Sequence, residues 1–438
     1  MRDIVLALGL TFYIPMALRV PAAGLLCWEW FSIMSPHRQV FGFLLGQPLA
    51  SLVAVATLVG WLISADRKRW TGDLLPWVML ALVLWMTVNG LASPQPEQNW
   101  LYWDRVMRTF APVFLVFVLM TKQARMIGMV WVLVISLGYY GVKGGGFTIV
   151  NGGSGIVFGP PDSVLGDNNQ LALGIVTELP LLYFLWRHTA HRLLRMGMLA
   201  ALGLQVVMVF GSYSRGGVIA LAVGLGLIWL RSDHKLIYGG LGAAMVVAGL
   251  SVMPQSFWDR MHTLNNVEGD ASFHGRLVAW QVAFRYAKEH FPFGAGFYVP
   301  QMAQIFNSYF PDEVTHAAHS IYFQMLGEHG FTGLALFLLM IGLALRNTGI
   351  VVRRTRGDPE LAWLHDLADM VRVSLLSFCV GGAALSMAYF DGYLILIALS
   401  STMREMAAPR RVTVPQAAAA PARAGLAPPP APQAGRLR

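Results

Sequence analysis

Long apolar runs alternate with short polar connections along most of the chain. Twelve runs are found, and most are close to the roughly 20 residues that a helix needs to cross a bilayer. In chain order they cover residues 2–18, 40–63, 73–92, 106–120, 126–142, 165–186, 194–212, 216–230, 236–253, 319–345, 370–388 and 390–403. This pattern predicts an all-α polytopic membrane protein with about twelve transmembrane helices.

Residues 21–34 are also apolar, but they contain two tryptophans and Glu29. This composition indicates an interfacial or re-entrant helix, and the pattern leaves open whether the segment crosses the membrane. The first apolar run has little basic charge before it beyond Arg2 and no clear small-residue cleavage site. We therefore expect the first run to remain as a span and not to act as a cleaved signal peptide.

Composition supports the same class of protein. Hydrophobic residues make up 56% of the chain and charged residues 13%, too few charges to cover a soluble surface of this size. Cys27 and Cys379 lie in apolar segments far apart, so they form neither a spaced metal pattern nor a disulfide framework. We expect surrounding membrane lipids and no nucleic-acid partner.

Basic residues fall in every second connection between the apolar runs. They are Arg67, Lys68, Arg69, Lys122, Arg125, Arg187, Arg192, Arg195, Arg231, Lys235, Arg346, Arg353, Arg354 and Arg356. The positive-inside rule predicts that this side is cytoplasmic. The same parity places the Ala/Pro-rich residues 404–438 inside as a disordered tail, after a transmembrane domain of residues 1–403.

The opposite, outward face carries three connections, at residues 93–105, 143–163 and 254–318. The third lies between the ninth and tenth spans and is the one sizeable extramembrane region apart from the tail. It is predicted to be helical, with a stripe along the membrane formed by Leu277, Trp280, Phe284 and Ala287. We expect this region to cover a site at the outer membrane boundary.

Arginines on the outward face depart from the positive-inside rule and are candidate functional residues. Arg215 stands in "GSYSRGG" and Arg276 in "HGRLVAW", while Arg105, Arg108 and Lys143 border the same face. Several converging cations indicate a polyanionic ligand, and a guanidinium fork fits phosphate oxygens well. For Arg215 the alternative is an arginine that anchors a helix end at the interface.

The stretch "VTHAAHSIYFQMLGEHGFTG" at residues 314–333 places three histidines where an apolar run begins. Glu313, His316 and His319 follow one another at intervals of three, a spacing that a helix could turn into a metal site. The sequence is not an HExxH pattern, however, and no cysteine completes the set. We therefore expect no metal and no cofactor.

The three histidines have different expected roles. His329 lies inside the apolar run next to Glu328, which favours a structural pair with a neighbouring helix. His316 is either an auxiliary group of the site or a solvated loop residue. His319 begins the run on the outer side, and a histidine held there suits a general base because its ordinary pKa is near neutral pH.

Four of these motifs together resemble the O-antigen ligase and polymerase superfamily of bacterial envelope enzymes. They are "GSYSRGG" closing a transmembrane hairpin, "HGRLVAW" and "FPFGAGF" in the long outward region, and "HSIYFQMLGEHGFTG" opening the next span. The resemblance covers roughly residues 165–345. The first sixty residues, with "WEWFSIMSPHR", also look like a subgroup of protein O-glycosylation ligases.

The resemblance implies a GT-C-like membrane fold and glycosyl transfer from undecaprenyl diphosphate on the periplasmic face of the inner membrane. It implies that Arg215 and Arg276 bind the diphosphate and that His319 is essential. His316 is placed beside them as a candidate substrate-binding residue from its position in the sequence, not from the resemblance. Asp391 in "AYFDGY" matches an acidic residue of the family, although an ordinary turn aspartate is an equal alternative.

The acceptor is the part of the reaction that the motifs leave open. A lipid A-core, a growing glycan chain and a protein all present a hydroxyl group. We take a lipid A-core acceptor as the hypothesis, with an inverting, metal-independent transfer, and keep O-antigen polymerase and protein O-glycosylation ligase as alternatives. A transporter of carrier-linked glycans is a different class, and the absence of an evident inverted repeat in the sequence weakens that interpretation.

Overall fold

The computed structural model describes residues 2–161, 163–262 and 271–408, and in these residues the chain forms α-helices and no β-strand. The helices are α1 Arg2–Arg19, α2 Pro21–Met34, α3 Leu49–Ile63, α4 Leu75–Leu91, α5 Pro96–Leu119, α6 Gln123–Val150, α7 Asn168–His188, α8 Arg192–Gly211, α9 Arg215–Arg231, α10 Lys235–Ser251, α11 Gln255–His262, α12 Ala271–Glu289, α13 Ala303–Tyr309, α14 Ile321–Arg354, α15 Ala362–Gly382 and α16 Asp391–Met406.

Several helices have the length and composition of membrane spans. In the described part of the chain, α6, α8 and α14 are each long and apolar enough to cross a bilayer. The pair α10 and α11 passes the same test together, with a bend of 111° between them, and α3 and α4 are shorter apolar helices. The predicted class, an all-helical polytopic membrane protein, is confirmed, whereas the count of twelve spans and the GT-C-like arrangement stay predictions.

The first two helices form an antiparallel pair. The carboxylate of Asp3 accepts hydrogen bonds from the backbone N–H groups of Gly42 and Leu44, beyond the end of α2. At the other end of α1, a Cβ added to Gly24 would lie 2.8 Å from Ala17 Cβ. Helix α2 is largely buried against α1, α3, α5 and α6. Such burial does not fit an interfacial helix and leaves the re-entrant or spanning alternatives for residues 21–34.

Ion pairs join the basic connections at one end of the helix bundle. The pairs are Arg67–Glu405 at 2.7 Å, Arg125–Asp66 at 3.0 Å, Arg187–Asp366 at 3.6 Å, Arg231–Asp369 at 2.8 Å and Arg404–Asp73 at 2.6 Å. Connections that the sequence assigns to one side of the membrane therefore meet in space. Helix α16 continues to Met406, past the predicted domain boundary at residue 403. Residues 409–438 of the predicted tail lie outside the described residues.

Helix α14 is interrupted at Gly330, where φ is 69° and ψ is −171°. A loop from the outward region lies against this break and supplies backbone hydrogen bonds. Ala295 N donates to Gly327 O and Gly296 N donates to Glu328 O, both at 2.9 Å. Backbone groups freed by a break inside a membrane helix need such partners. The motifs "FPFGAGF" and "GEHGF" are thus two halves of one packed unit.

Two asparagines from neighbouring helices complete this unit. Asn89 of α4 donates to Glu328 O at 2.8 Å and accepts from Gly294 N at 2.7 Å. Asn99 of α5 accepts from Phe297 N at 3.0 Å. Both asparagines are fully buried, so these bonds satisfy polar groups that would otherwise be costly in the bundle.

We expect Gly330→Ala to destabilise the folded protein strongly. A Cβ at this position would lie 2.3 Å from Pro292 O, and alanine would also have to adopt a positive φ. The backbone conformation alone costs about 1–3 kcal/mol for a non-glycine residue. Gly342→Ala is the matched control in the same helix, because its added Cβ meets no atom within 4 Å. Thermal unfolding in detergent should show a much lower midpoint for Gly330→Ala and an unchanged midpoint for Gly342→Ala. Equal midpoints for the two variants would contradict this account of the break.

Candidate functional site

A cavity of about 800 Å³ opens at the end of the bundle opposite the ion pairs. Its walls come from separate parts of the chain: the end of α2 and the turn after it, α5, the segment 297–301, the segment 316–324 and the turn 386–391. Three of the sequence-predicted site residues line it, namely His316, His319 and Asp391. The folded chain therefore brings together residues that are up to 75 positions apart in sequence.

His319 stands at the entrance to α14 in a strained backbone conformation, with φ at 43°. Positive φ is uncommon outside glycine and must be imposed by surrounding structure. Here Trp280 of α12 donates from Nε1 to Ala318 O at 2.6 Å and stacks on Phe323, with ring centroids 4.7 Å apart. These contacts fix the segment on both sides of His319.

The surroundings of His319 favour its neutral form. Its side chain is exposed by surface area because it opens into the cavity. The surrounding protein still removes part of its hydration, which lowers the pKa of His319, and the positive charge of Arg276 lowers the pKa further. The carboxylate of Asp167 acts in the opposite direction. A neutral imidazole is the form that accepts a proton.

His316 lies in the wall of the same cavity. Its ring packs so closely on α12 that a Cβ added to Gly275 would lie 2.6 Å from it. Glu313 does not join the two histidines, since it contacts His274 with 3.0 Å between Oε1 and Nε2. Among the residues that the structure describes, no group of three or more His, Cys, Asp and Glu side chains suits a metal ion. Asp162 and Asp270, two carboxylates of the outward connections, lie outside those residues.

Asp391 is the first residue of α16 and is 5% exposed. Ser32 of α2 donates a hydrogen bond to its carboxylate, so a residue from the start of the chain holds it in the cavity wall. One turn earlier on α2, Glu29 is completely buried, and its carboxyl oxygens have no hydrogen-bond partner in the described chain. The burial of Asp391 and its hydrogen bond from Ser32 distinguish it from an exposed turn aspartate, and its role in the site stays a prediction.

His329 belongs to a buried network beside the cavity. Its Nε2 lies 2.7 Å from the Tyr389 hydroxyl, which also donates to Glu328. The other carboxylate oxygen of Glu328 accepts from Tyr298 N at 3.1 Å. His329 is fully buried and does not line the cavity, as expected for a structural pair, whereas Glu328 and Tyr389 do line it. The sequence did contain a signal that Glu328 belongs to the site, because an acidic residue inside an apolar run is a candidate functional residue.

Arg215 and Arg276 are not among the described residues that line the cavity. Arg276 lies next to the histidine wall, since it follows Gly275 and affects the pKa of His319. Arg215 begins α9, where Gly216 approaches the end of α15 that leads into the turn 386–391. The cations that do line the cavity are Arg38 and Arg105. Sequence reasoning noted Arg105 at this face and missed Arg38.

The motif "GSYSRGG" is a fixed turn. Tyr213 adopts a φ of 56° and donates from its hydroxyl to Gly153 O at 3.0 Å. Asn168 donates to Ser212 O at 2.6 Å, and Ser214 caps α9 by accepting from Gly217 N. The turn therefore holds the first residue of α9 in one orientation.

Strained residues concentrate at this site. Four non-glycine residues in the described chain have positive φ, and three of them, Ser35, Tyr298 and His319, line the cavity. The fourth is Tyr213 in the turn before α9. Such conformations cluster where structure is imposed for function.

Comparison with known families agrees with the motif evidence. Residues 181–338 match the family model described as O-antigen ligase, and residues 1–190 match a family of unknown function (DUF5935). No curated protein matches the chain. The O-antigen ligase match includes Arg215, Arg276, His316 and His319, and Asp391 lies beyond it. The resemblance found in the sequence is confirmed: residues 181–338 match the O-antigen ligase family.

Proposed function

We propose that the protein is an O-antigen ligase, which transfers a glycan from undecaprenyl diphosphate to a lipid A-core acceptor on the periplasmic face of the inner membrane. The observation that carries this proposal is the position of His319. It is a histidine with a lowered pKa, held at a positive φ in a cavity within reach of the charge of Arg276. The O-antigen ligase domain contains both residues.

The proposed reaction is a single displacement at the anomeric carbon. The acceptor hydroxyl forms the new glycosidic bond while the bond from the anomeric carbon to the diphosphate oxygen breaks. His319 takes the hydroxyl proton, a step for which general-base catalysis contributes typically about 100-fold to 10,000-fold. The diphosphate leaves on its polyprenyl carrier. One displacement inverts the configuration at the anomeric carbon.

The leaving group requires neutralisation of negative charge more than it requires a proton. In this proposal Arg215 and Arg276 bind the diphosphate oxygens through their guanidinium forks. The fixed turn before α9 orients Arg215, and α12 carries Arg276 beside the histidine wall. We propose that these cations neutralise the diphosphate without a divalent metal. Asp312 and Glu313 are adjacent in sequence, a poor arrangement for holding Mg²⁺.

Two further cavity residues contact substrate in this proposal. His316 lies beside His319 in the wall, and Asp391, anchored by Ser32, offers a carboxylate to the acceptor. Exposed apolar side chains at Leu277 and Phe284 on α12 suit contact with a lipid bilayer next to the cavity. That contact is the reason for preferring a lipid acceptor to a protein. Polymerase and protein ligase activities would use the same displacement.

The first test of this proposal separates His319 from His329. We expect His319→Ala to lower kcat by about 100-fold or more, with folding and donor binding retained, because the variant loses the base. We expect His329→Ala to lower the thermal unfolding midpoint, because it removes a fully buried partner of Tyr389. Transfer assays and unfolding curves on both purified variants measure this. Near-normal turnover by folded His319→Ala would remove His319 from the mechanism.

The second test concerns the arginines. Arg215→Lys and Arg276→Lys keep the positive charge but lose the bidentate fork, so we expect lower activity with unchanged long-range electrostatics. The measurement is kcat/KM for the carrier-linked donor. If both lysine variants keep the wild-type kcat/KM, Arg215 is better explained as a helix anchor. The proposal that Arg215 and Arg276 bind the diphosphate would then be wrong.

The third test is the pH dependence of the reaction. Because the pKa of His319 is lowered, the base is neutral at pH 7, and kcat/KM should fall as the pH drops through a midpoint below the ordinary histidine value of about 6.5. Asp167→Asn should move the midpoint to still lower pH, since Asp167 raises the pKa and asparagine remains a good helix cap for α7. A midpoint above 7, or no effect of Asp167→Asn, would contradict the assignment.

A further inference from the structure

The α5 wall of the cavity carries a cation that the proposed reaction does not use. Arg105 lines the cavity, and its guanidinium lies 5.1 Å from the centre of the Tyr102 ring. Within the part of the chain that the structure describes, no carboxylate pairs with Arg105 and no hydrogen bond uses its donors. Arg108, one turn further along α5, differs: it is paired with Asp104 at 2.7 Å.

The ring beneath Arg105 is rigidly held. Tyr102 stacks on Tyr298 with centroids 4.6 Å apart and planes 6° from parallel. Tyr298 has a φ of 66°, and its backbone N–H donates to Glu328 Oε1 at 3.1 Å. Glu328, an acidic residue that lines the same cavity, is already bonded to Tyr298 and to Tyr389. The stacked Tyr102 ring holds the Arg105 guanidinium at the cavity through a cation–π contact, and no salt bridge is needed to position it.

We propose that Arg105 binds a phosphate or carboxylate group on one of the two glycolipid substrates, at a position separate from the transferred diphosphate. This inference rests on the proposed function and deepens it. It states that one of the two substrates carries an anionic group and that this group contacts the α5 wall of the cavity. A planar fork with all five N–H donors available matches the oxygens of either group. Arg38, whose side chain donates to Pro161 O at 3.3 Å, lines the same cavity and adds positive charge.

The anionic group could belong to the acceptor or to the donor glycan, and binding measurements separate the two sources. The full chain in lipid nanodiscs is titrated with lipid A-core, with dephosphorylated lipid A-core, and with undecaprenyl diphosphate bearing a neutral or an acidic glycan. The variants are Arg105→Gln and the matched control Arg108→Gln, which alters an arginine of the same helix that is already paired with Asp104.

We expect Arg105→Gln to weaken binding of one anionic ligand about tenfold or more, as for loss of hydrogen bonds to a charged group. Loss confined to phosphorylated lipid A-core identifies the acceptor as the source, and loss confined to the acidic-glycan donor identifies the donor. The affinity of Arg105→Lys should lie between those of wild type and Arg105→Gln. Arg105→Lys also provides the test if the glutamine variant does not fold. Arg108→Gln should bind every ligand as wild type does.

Two results would overturn the inference. One is equal affinity of Arg105→Gln and wild type for all four ligands. The other is an equal loss for the neutral-glycan donor, which would place the carrier diphosphate on Arg105. Neither measurement requires turnover. A chain that binds the anionic ligand through Arg105 and yet never transfers a glycan would contradict the proposed function and leave the anion site intact.

Discussion

The backbone pairing at the break in α14 is the interaction on which the site depends. Gly330 interrupts the helix, and the loop of residues 291–298 fills the gap with its own N–H groups. The membrane interior forbids unsatisfied backbone groups, so the loop and the break must form together. The pairing places Glu328 and Tyr298 in one cavity wall, and Glu328 lies on α14, the helix whose N-terminal end follows His319. Glycine is needed in both segments because the two backbones approach too closely for a Cβ.

Much of the architecture follows from sequence patterns. Apolar runs of about 20 residues predicted the helices, and the alternation of basic connections predicted which loops meet, as the Arg67–Glu405 and Arg231–Asp369 pairs illustrate. The buried helix α2 was not predictable, since tryptophans and an acidic residue are also typical of an interface. Its burial comes from packing against several helices distant in sequence, and such tertiary packing leaves no local signal.

The site was predictable where its residues are unusual in a membrane protein, as titratable side chains at the ends of spans are. His319 and Asp391 stood out by their place at span ends, and both line the cavity. Tyr389 carried no such mark, because a tyrosine near an interface is ordinary. Arg38 precedes the run 40–63 on the outward face, and the rule that marked Arg215 and Arg276 would have marked it too. The cavity also shows why one family match is not the whole site: Ser32 and Arg105 lie before residues 181–338 and Asp391 lies after them.

The central claim is that this cavity transfers a glycan by one displacement with His319 as the base. The most direct measurement is the anomeric configuration of the product, determined by NMR after the purified chain is incubated in excess EDTA with undecaprenyl-diphosphate-linked glycan and lipid A-core. The account predicts a glycosylated acceptor with inverted configuration and one released carrier diphosphate for each glycan transferred. Retained configuration, or tight donor binding with no covalent product, would contradict it.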